Sequence, residues 1–252
     1  MKLVVFCVCV FGISINSTVQ ASEDEDAKSF VEQAIKSANG GDSKQAVKLL
    51  HRAIEADPKL AIAYYWRGSE QFRLGNVQES VADFDRFVQL NPAAESQQWK
   101  RGISYYYAKA YEKGAKQFEL YQTYHDNDVE NSTWRFLCVA KTEGVEKARK
   151  TLLPIKNDRR VPMMQIYAMY RGDMTPEEVL KSARDGEPDK EETNRSLFYA
   201  HLYVGLYYEA LGKEKLAAQH IRKAANDHRI GHYMWDVARV HSQQFNPEPA
   251  AK

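Results

Sequence analysis

The amino-acid sequence predicts an all-α fold in which helix–turn–helix units stack side by side as an α-solenoid. Three observations lead to this prediction. Large apolar residues return every 34 residues, as at Leu50, Phe84 and Phe118, and a period of this length is typical of stacked helical hairpins. Turn-forming residues such as Gly40-Gly41 separate the helical stretches. No segment of useful length alternates apolar and polar residues as a strand would.

The composition is that of a folded protein with nearly balanced charge. Of the 252 residues, 44% are hydrophobic and 27% are charged, which is ordinary for a globular protein and unlike a disordered chain. Lysine and arginine total 35 against 34 acidic residues, and the sequence has no dense basic run. The sequence therefore predicts no nucleic acid among the partners and no strong attraction to an anionic membrane surface.

Residues 1–21 have the pattern of a secretory signal peptide. A lysine at position 2 precedes an apolar run over residues 3–15, and small residues lead to a cleavage point after Ala21. The apolar run is shorter than the roughly 20 residues that a membrane-spanning helix needs. We therefore expect cleavage, export to the periplasm or secretion, and no stable membrane insertion afterwards. A signal retained as an anchor is the alternative.

The rest of the chain divides into repeats and less regular segments. An acidic leader at 22–26 is followed by three repeats at 27–60, 61–94 and 95–126, degenerate helical hairpins at 127–192, a C-terminal repeat at 193–230, a capping helix at 231–245 and a tail at 246–252. Pro58 and Pro92 end the first two repeats, because proline cannot continue a helix. Asp42 is the predicted N-cap of one helix, and Thr175 with Glu178 forms the capping box of another.

This pattern resembles the tetratricopeptide repeat family. Ala34, Gly68 and Gly102 occupy the small-residue position of the first helix in successive repeats. The resemblance implies a right-handed superhelix that binds protein or peptide partners on its concave face. The order of the parts is similar to that of the NlpI-type periplasmic lipoproteins, which implies an adaptor role in maintenance of the cell envelope. This sequence departs from them in lacking a lipobox, because Cys7 and Cys9 lie too early in the signal.

The resemblance also implies a binding face, formed by the first helix of each repeat. Aromatic residues are frequent on this face, and rigid aromatic side chains anchor partners at low entropic cost. The alternative interpretation is that some of them fill the seam between neighbouring repeats. The residues predicted to bind a protein or peptide are Tyr65, Phe72, Arg73, Trp99, Ile103, Tyr106 and Tyr107.

The sequence contains no motif of an enzyme, such as a nucleophile elbow, a phosphate-binding loop or a zincin helix. We therefore predict a scaffold with no catalytic residue, no cofactor and no metal. Cys138 lies in an apolar helical stretch, where a buried, inert thiol is expected. One alternative is an enzymatic or metal-binding module that uses the histidine-rich C-terminal section, where His228 and His232 are four residues apart. Another is a structural protein that self-associates as a homodimer.

Overall fold

The computed structural model of the chain describes residues 14–185 and 189–245. Across these ranges the protein consists of α-helices joined by turns and loops, with a 3-10 helix at Pro92–Gln97 and no strand. The predicted all-α class is therefore confirmed. In chain order the helices are α1 (Ser14–Asn39), α2 (Ser43–Ala56), α3 (Ala61–Arg73), α4 (Val77–Leu90), α5 (Trp99–Tyr107), α6 (Tyr111–Gln122), α7 (Val129–Glu143), α8 (Val145–Lys150), α9 (Met163–Arg171), α10 (Pro176–Ser182), α11 (Lys190–Ala210), α12 (Glu214–Asp227) and α13 (Tyr233–Gln244).

The helices begin and end where the local sequence favours it. Asp42 caps α2 by accepting a hydrogen bond of 2.9 Å from the backbone N–H of Gln45. Thr175 and Glu178 form the predicted capping box at the start of α10. Gly41 turns the chain between α1 and α2 with a φ of 84°, a conformation that residues with a Cβ seldom adopt. The sequence alone predicts these two caps and this turn.

The two helices of a pair approach each other at small residues. A Cβ added at Gly102 in α5 would lie 2.7 Å from Cζ of Phe118 in α6, and one added at Gly205 in α11 would lie 2.8 Å from Cγ1 of Ile221 in α12. Real Cβ atoms do not come this close to their neighbours. Glycine at these positions therefore allows the pairs α5–α6 and α11–α12 to pack at close range.

Replacing Gly102 by alanine is expected to lower the free energy of unfolding by about 1–3 kcal/mol, the usual cost of overpacking a core. Phe118 is 1% exposed, so its ring has little room to retreat from an added methyl group. Thermal unfolding should show a lower Tm for Gly102→Ala than for the wild type. Gly231→Ala is the control, because nothing lies within 4 Å of its added carbon. Equal melting temperatures for all three proteins would contradict this prediction.

The N-terminal part of the structure differs from the sequence-based division. Residues 22–26, predicted as an acidic leader ahead of the first helix, lie inside α1. Acidic residues stabilise a helix when they are near its N-terminus, so cleavage after Ala21 would leave them in the first turn of a shortened α1. Residues 1–13 of the predicted signal peptide and the predicted tail at 246–252 lie outside the described residues. Within the described part, no helix combines the length and apolarity needed to cross a bilayer.

The buried residues form separate cores. The first helical pair shares a small core around Ala34 and Leu50 with Ala63 of α3, and Tyr64, Phe87 and Val88 form another between α3 and α4. The largest core extends from Phe72 in α3 to Val240 in α13 and includes every helix from α5 onwards. Cys138 lies in this core with 0% exposure, and burial raises the pKa of its thiol. The prediction of a buried cysteine is therefore confirmed.

Candidate protein-binding site

The C-terminal helix α13 lies against the helices that the sequence predicted as the binding face. Arg73, the last residue of α3, donates from Nε to Oδ2 of Asp236 in α13 over 2.9 Å. Arg239 of α13 donates in turn to the backbone carbonyl of Arg73. Arg73 also pairs with the buried Glu70, over 2.6 Å. A network of charged groups therefore fixes α13 to the end of α3.

Aromatic contacts extend this interface from α3 to α5. The ring of Tyr233, at the start of α13, lies 5.6 Å from the ring of Phe72 and 5.5 Å from that of Trp99. Nζ of Lys100 lies 4.6 Å from the centre of the Tyr233 ring, a cation–π distance. Burial lowers the pKa of Lys100 to about 8, and the positive charge of Arg73 adds to this effect. Tyr233 is 6% exposed, so α13 inserts an aromatic anchor between α3 and α5.

A second polar contact lies near the other end of α13. The hydroxyl of Tyr107 in α5 lies 2.8 Å from Nδ1 of His241, and Nε2 of His241 lies 2.8 Å from Oε2 of Glu209 in α11. Lys141 of α7 donates to the other carboxylate oxygen over 2.6 Å. Burial raises the pKa of Glu209, but His241 and Lys141 outweigh it and bring the pKa to about 2. This chain of contacts joins α5, α7, α11 and α13.

The seven residues predicted to bind a partner occupy three different environments. Phe72, Arg73, Trp99 and Tyr107 contact side chains of α13, as the distances show. Ile103 and Tyr106 are buried in the main core, at 1% and 5% exposure. Tyr65 is half-buried, and its ring packs against Phe84 and Phe87 of its own helical pair. Several of the seven therefore fill the protein interior, and their role towards a partner remains a prediction.

Sequence reasoning missed the residues of α13 that complete this interface. They are Tyr233, Asp236, Arg239 and His241. One signal for them is present: Tyr233, Val237 and Val240 are all buried and follow the i, i+4, i+7 spacing of an amphipathic helix. That spacing predicts a buried face on α13 but does not say which helices cover it.

Part of the face beside α13 remains open. A cavity of about 780 Å³ lies between the turn at residues 38–44, the end of α3 and residues 229–239. Ile62 of α3 is 41% exposed, and the next aromatic residues along α3, Tyr65 and Trp66, are half-buried. A partner could therefore reach α3 without moving α13.

The histidines do not form the pair that the sequence suggested for a metal. His228 stacks on His201 with ring centres 5.5 Å apart, whereas His232 caps α13 and stacks on Trp99 at 6.1 Å. His201 also lies against His220, and the Nδ1 atoms of these two histidines are 2.9 Å apart. Among the described residues, no group of three or more histidine, cysteine, aspartate or glutamate side chains is arranged to hold a metal ion.

Acidification is expected to destabilise the protein through His201. Burial lowers the pKa of His201 to about 3, and the neighbouring His220 and His228 add to this effect. An unfolded histidine binds its proton near pH 6.5, so between about pH 3 and 6.5 the unfolded state binds more protons than the folded state. The free energy of unfolding therefore falls as the pH falls through this window.

Urea unfolding at several pH values checks this expectation. The His201→Gln variant should lose less stability than the wild type between pH 6.5 and pH 4, because it lacks the buried group that must take up a proton. The control is His125→Gln, a substitution at an exposed position, and it should leave the pH dependence of stability unchanged. Identical pH dependence in the wild type and in His201→Gln would exclude His201 as the cause.

The comparisons with known proteins agree with the repeat pattern. Residues 32–95, which include α2, α3 and α4, match the family model described as Tetratricopeptide repeat. Similar solved structures include MamA, from residue 41 to the end, of Desulfovibrio magneticus RS-1 (17% identity, 79% of this chain and 93% of that chain, TM-score 0.49). YrrB, titled a TPR protein with an unusual peptide-binding site, is similar at 15% identity over 92% of this chain and 98% of its own, with a TM-score of 0.48.

TTC0263, a thermophilic TPR protein of Thermus thermophilus, is similar at 14% identity over 87% of this chain and 99% of its own, with a TM-score of 0.47. The family match and the paired helices show that this chain contains tetratricopeptide repeats, matched in sequence over residues 32–95.

Proposed function

We propose that the protein is an exported scaffold or adaptor that binds protein or peptide partners on the face formed by α1, α3 and α5, in maintenance of the cell envelope. The pattern of residues 1–21 supports export. The binding proposal rests on how α13 is bound. This helix is attached to α3 and α5 by an aromatic anchor and an ion pair.

The contacts of α13 indicate what kind of partner suits this face. Tyr233 and Asp236 are three residues apart in α13, so they lie on the same side of the helix. Together they contact Trp99 and Arg73, and aromatic residues and arginine are the residues most often found at the centres of binding interfaces. A partner with aromatic and acidic side chains would therefore suit the part of this face that α13 leaves open.

The open part of the face gives such a partner a place to start. Ile62, Tyr65 and Trp66 continue along α3 from the residues that α13 covers, and they are still partly exposed. The cavity of about 780 Å³ lies at the other end of α3, beside Arg73, Leu74 and α13. We infer that a partner binds first at the exposed part of α3 and then extends along α13.

Site-specific photo-crosslinking in the compartment to which the protein is exported tests this proposal. A photoreactive residue at Ile62 is expected to trap a small set of defined proteins, identified by mass spectrometry. The same residue at Leu216 in α12 is the control, because Leu216 is 39% exposed and Ile62 is 41% exposed. The proposed binding face is wrong if position 62 traps nothing, or if positions 62 and 216 trap the same proteins.

The N-terminus of the purified protein tests the export part of the proposal separately. Mass spectrometry of the protein recovered from the cell envelope or the medium should show Ser22 as its first residue. Recovery of the chain with residues 1–21 attached would favour the retained anchor.

A further inference from the structure

We propose that a small cavity between α5, α6 and α7 binds the ammonium group of a lysine side chain carried by a partner peptide. This inference rests on the proposed function, because it assumes that the chain binds protein segments. The cavity is lined by Trp99, which also contacts Tyr233 of α13, and by residues of α6 and α7.

The walls of the cavity are largely aromatic. Its volume is about 160 Å³, which suits a side chain and excludes a larger ligand. Trp99 of α5, Phe118 and Tyr121 of α6 and Trp134 of α7 line it. The faces of aromatic rings carry partial negative charge and attract cations, and sites that recognise alkylammonium groups are commonly built from several such rings.

The charge around the cavity is negative. Asp128, Glu130 and Arg160 line it, and Arg160 pairs with both carboxylates and with Asp158, at distances of 2.8, 2.6 and 2.6 Å. Two carboxylates and one guanidinium therefore line the cavity, and that guanidinium is also paired with Asp158 outside the lining. Glu130 is 8% exposed, and burial raises its pKa to about 7 in spite of Arg160. A second cation in the cavity would stabilise the ionised form of Glu130.

An unused acceptor lines the same cavity. The amide nitrogen of Asn131 donates to the backbone carbonyl of Phe118 and to Oε1 of Gln122, both over 3.0 Å. These two bonds fix the orientation of the amide, and its Oδ1 has no hydrogen-bond partner among the described residues. Asn131 is 2% exposed, so leaving this acceptor unpaired is costly.

An ammonium group matches the aromatic walls, the carboxylates and the free acceptor of Asn131, and it leaves the unpaired Nε1–H donor of Trp134 to an acceptor of the peptide that carries it. It has three N–H donors and no acceptor, so it can donate to Asn131 and to the carboxylate of Glu130 while it contacts the aromatic walls. An anion would be repelled by the carboxylates, and a neutral alkyl group would leave Asn131 unpaired. The cavity therefore selects a lysine side chain over an acidic or an apolar one.

Titration with small probes tests the site without the unknown partner. The probe is Nα-acetyl-lysine amide, and the neutral control is Nα-acetyl-norleucine amide, which has the same chain without the charge. The readout is the indole N–H signal of Trp134 in an ¹⁵N-resolved NMR spectrum. We expect a saturable shift with the lysine compound and at least tenfold weaker binding of the norleucine compound. The absence of a saturable shift, or equal binding of both, would overturn the proposal.

Two variants link the binding to the named groups. Glu130→Gln keeps the shape and removes the charge, and we expect it to weaken lysine binding at least fivefold. Tyr121→Leu keeps an apolar wall but removes an aromatic face, so lysine binding should weaken and norleucine binding should not. Glu143→Gln, at the exposed far end of α7, is the matched control. Full affinity in both site variants would overturn the proposal.

Three further outcomes distinguish the possible sources of the ammonium group and separate this proposal from the proposed binding face. Butylammonium that binds while the lysine compound does not would mean a site for free amines, which overturns the peptide subsite. Lysine binding without crosslinks at Ile62 would overturn the proposed binding face and leave this subsite intact. Crosslinks at Ile62 without lysine binding would overturn this subsite alone.

Discussion

Replacing Tyr233 by alanine is expected to lower the free energy of unfolding by about 3 kcal/mol and to loosen α13 from α3 and α5. The side chain is 6% exposed and packs against Phe72 and Trp99, and truncating a buried aromatic residue to alanine typically costs about 3–5 kcal/mol. Chemical denaturation measures the stability. Hydrogen exchange measures the loosening, as faster exchange of the α13 amides.

A conservative variant is the control for this prediction. Tyr233→Phe keeps the ring and removes a buried hydroxyl that has no hydrogen-bond partner among the described residues. It should therefore be as stable as the wild type or slightly more stable. If α13 exchanges at the same rate in Tyr233→Ala as in the wild type, Tyr233 is not the residue that holds this helix.

Replacing Arg160 by alanine is expected to destabilise the protein by roughly 2–3 kcal/mol. Removing one partner of a buried ion pair commonly costs about 3–5 kcal/mol, and the value is smaller here because the side chain of Arg160 is 43% exposed. The variant leaves Asp128, Glu130 and Asp158 close together without their shared cation. Denaturation at pH 8 should show the full loss.

The pH dependence of that loss tests its electrostatic origin. Without Arg160 the pKa of Glu130 rises further and the pKa of Asp158 loses the lowering that Arg160 provides, because burial favours the neutral form of both groups. The folded variant then binds more protons than its unfolded state, so the destabilisation should shrink as the pH is lowered from 8 to 5. Arg171→Ala is the control, because its pair with Asp173 is exposed on both sides and such pairs contribute little. A pH-independent loss in Arg160→Ala would point to lost packing instead.

The sequence was sufficient for features that depend on near neighbours. The caps at Asp42 and Thr175, the breaks at Pro58 and Pro92 and the buried Cys138 all follow from residues within a few positions of one another. The repeat can also be predicted from the sequence. Each helical pair packs against the neighbouring pairs, so the residues that make these contacts return with the 34-residue period.

The position of α13 could not be predicted in this way. Arg73 and Asp236 are 163 residues apart, and no periodicity of the sequence joins positions so distant. The same limit applies to the histidines. A helical spacing of four suggested His228 with His232, but the fold brings His228 to His201 and leaves His232 beside Trp99. Charge and shape in the three-dimensional fold decide such contacts.

The contact between α13 and α3 changes how the array should respond to denaturation. In an open array of repeats each unit depends on its neighbours alone, so the ends fray and the units unfold in sequence. Here the last helix is bound to the second helical pair, and one continuous core extends from Phe72 to Val240. We therefore expect α5 to α13, together with the end of α3, to unfold in a single cooperative step. The first pair, with its separate core around Leu50, should open at a lower free energy and expose its amides first.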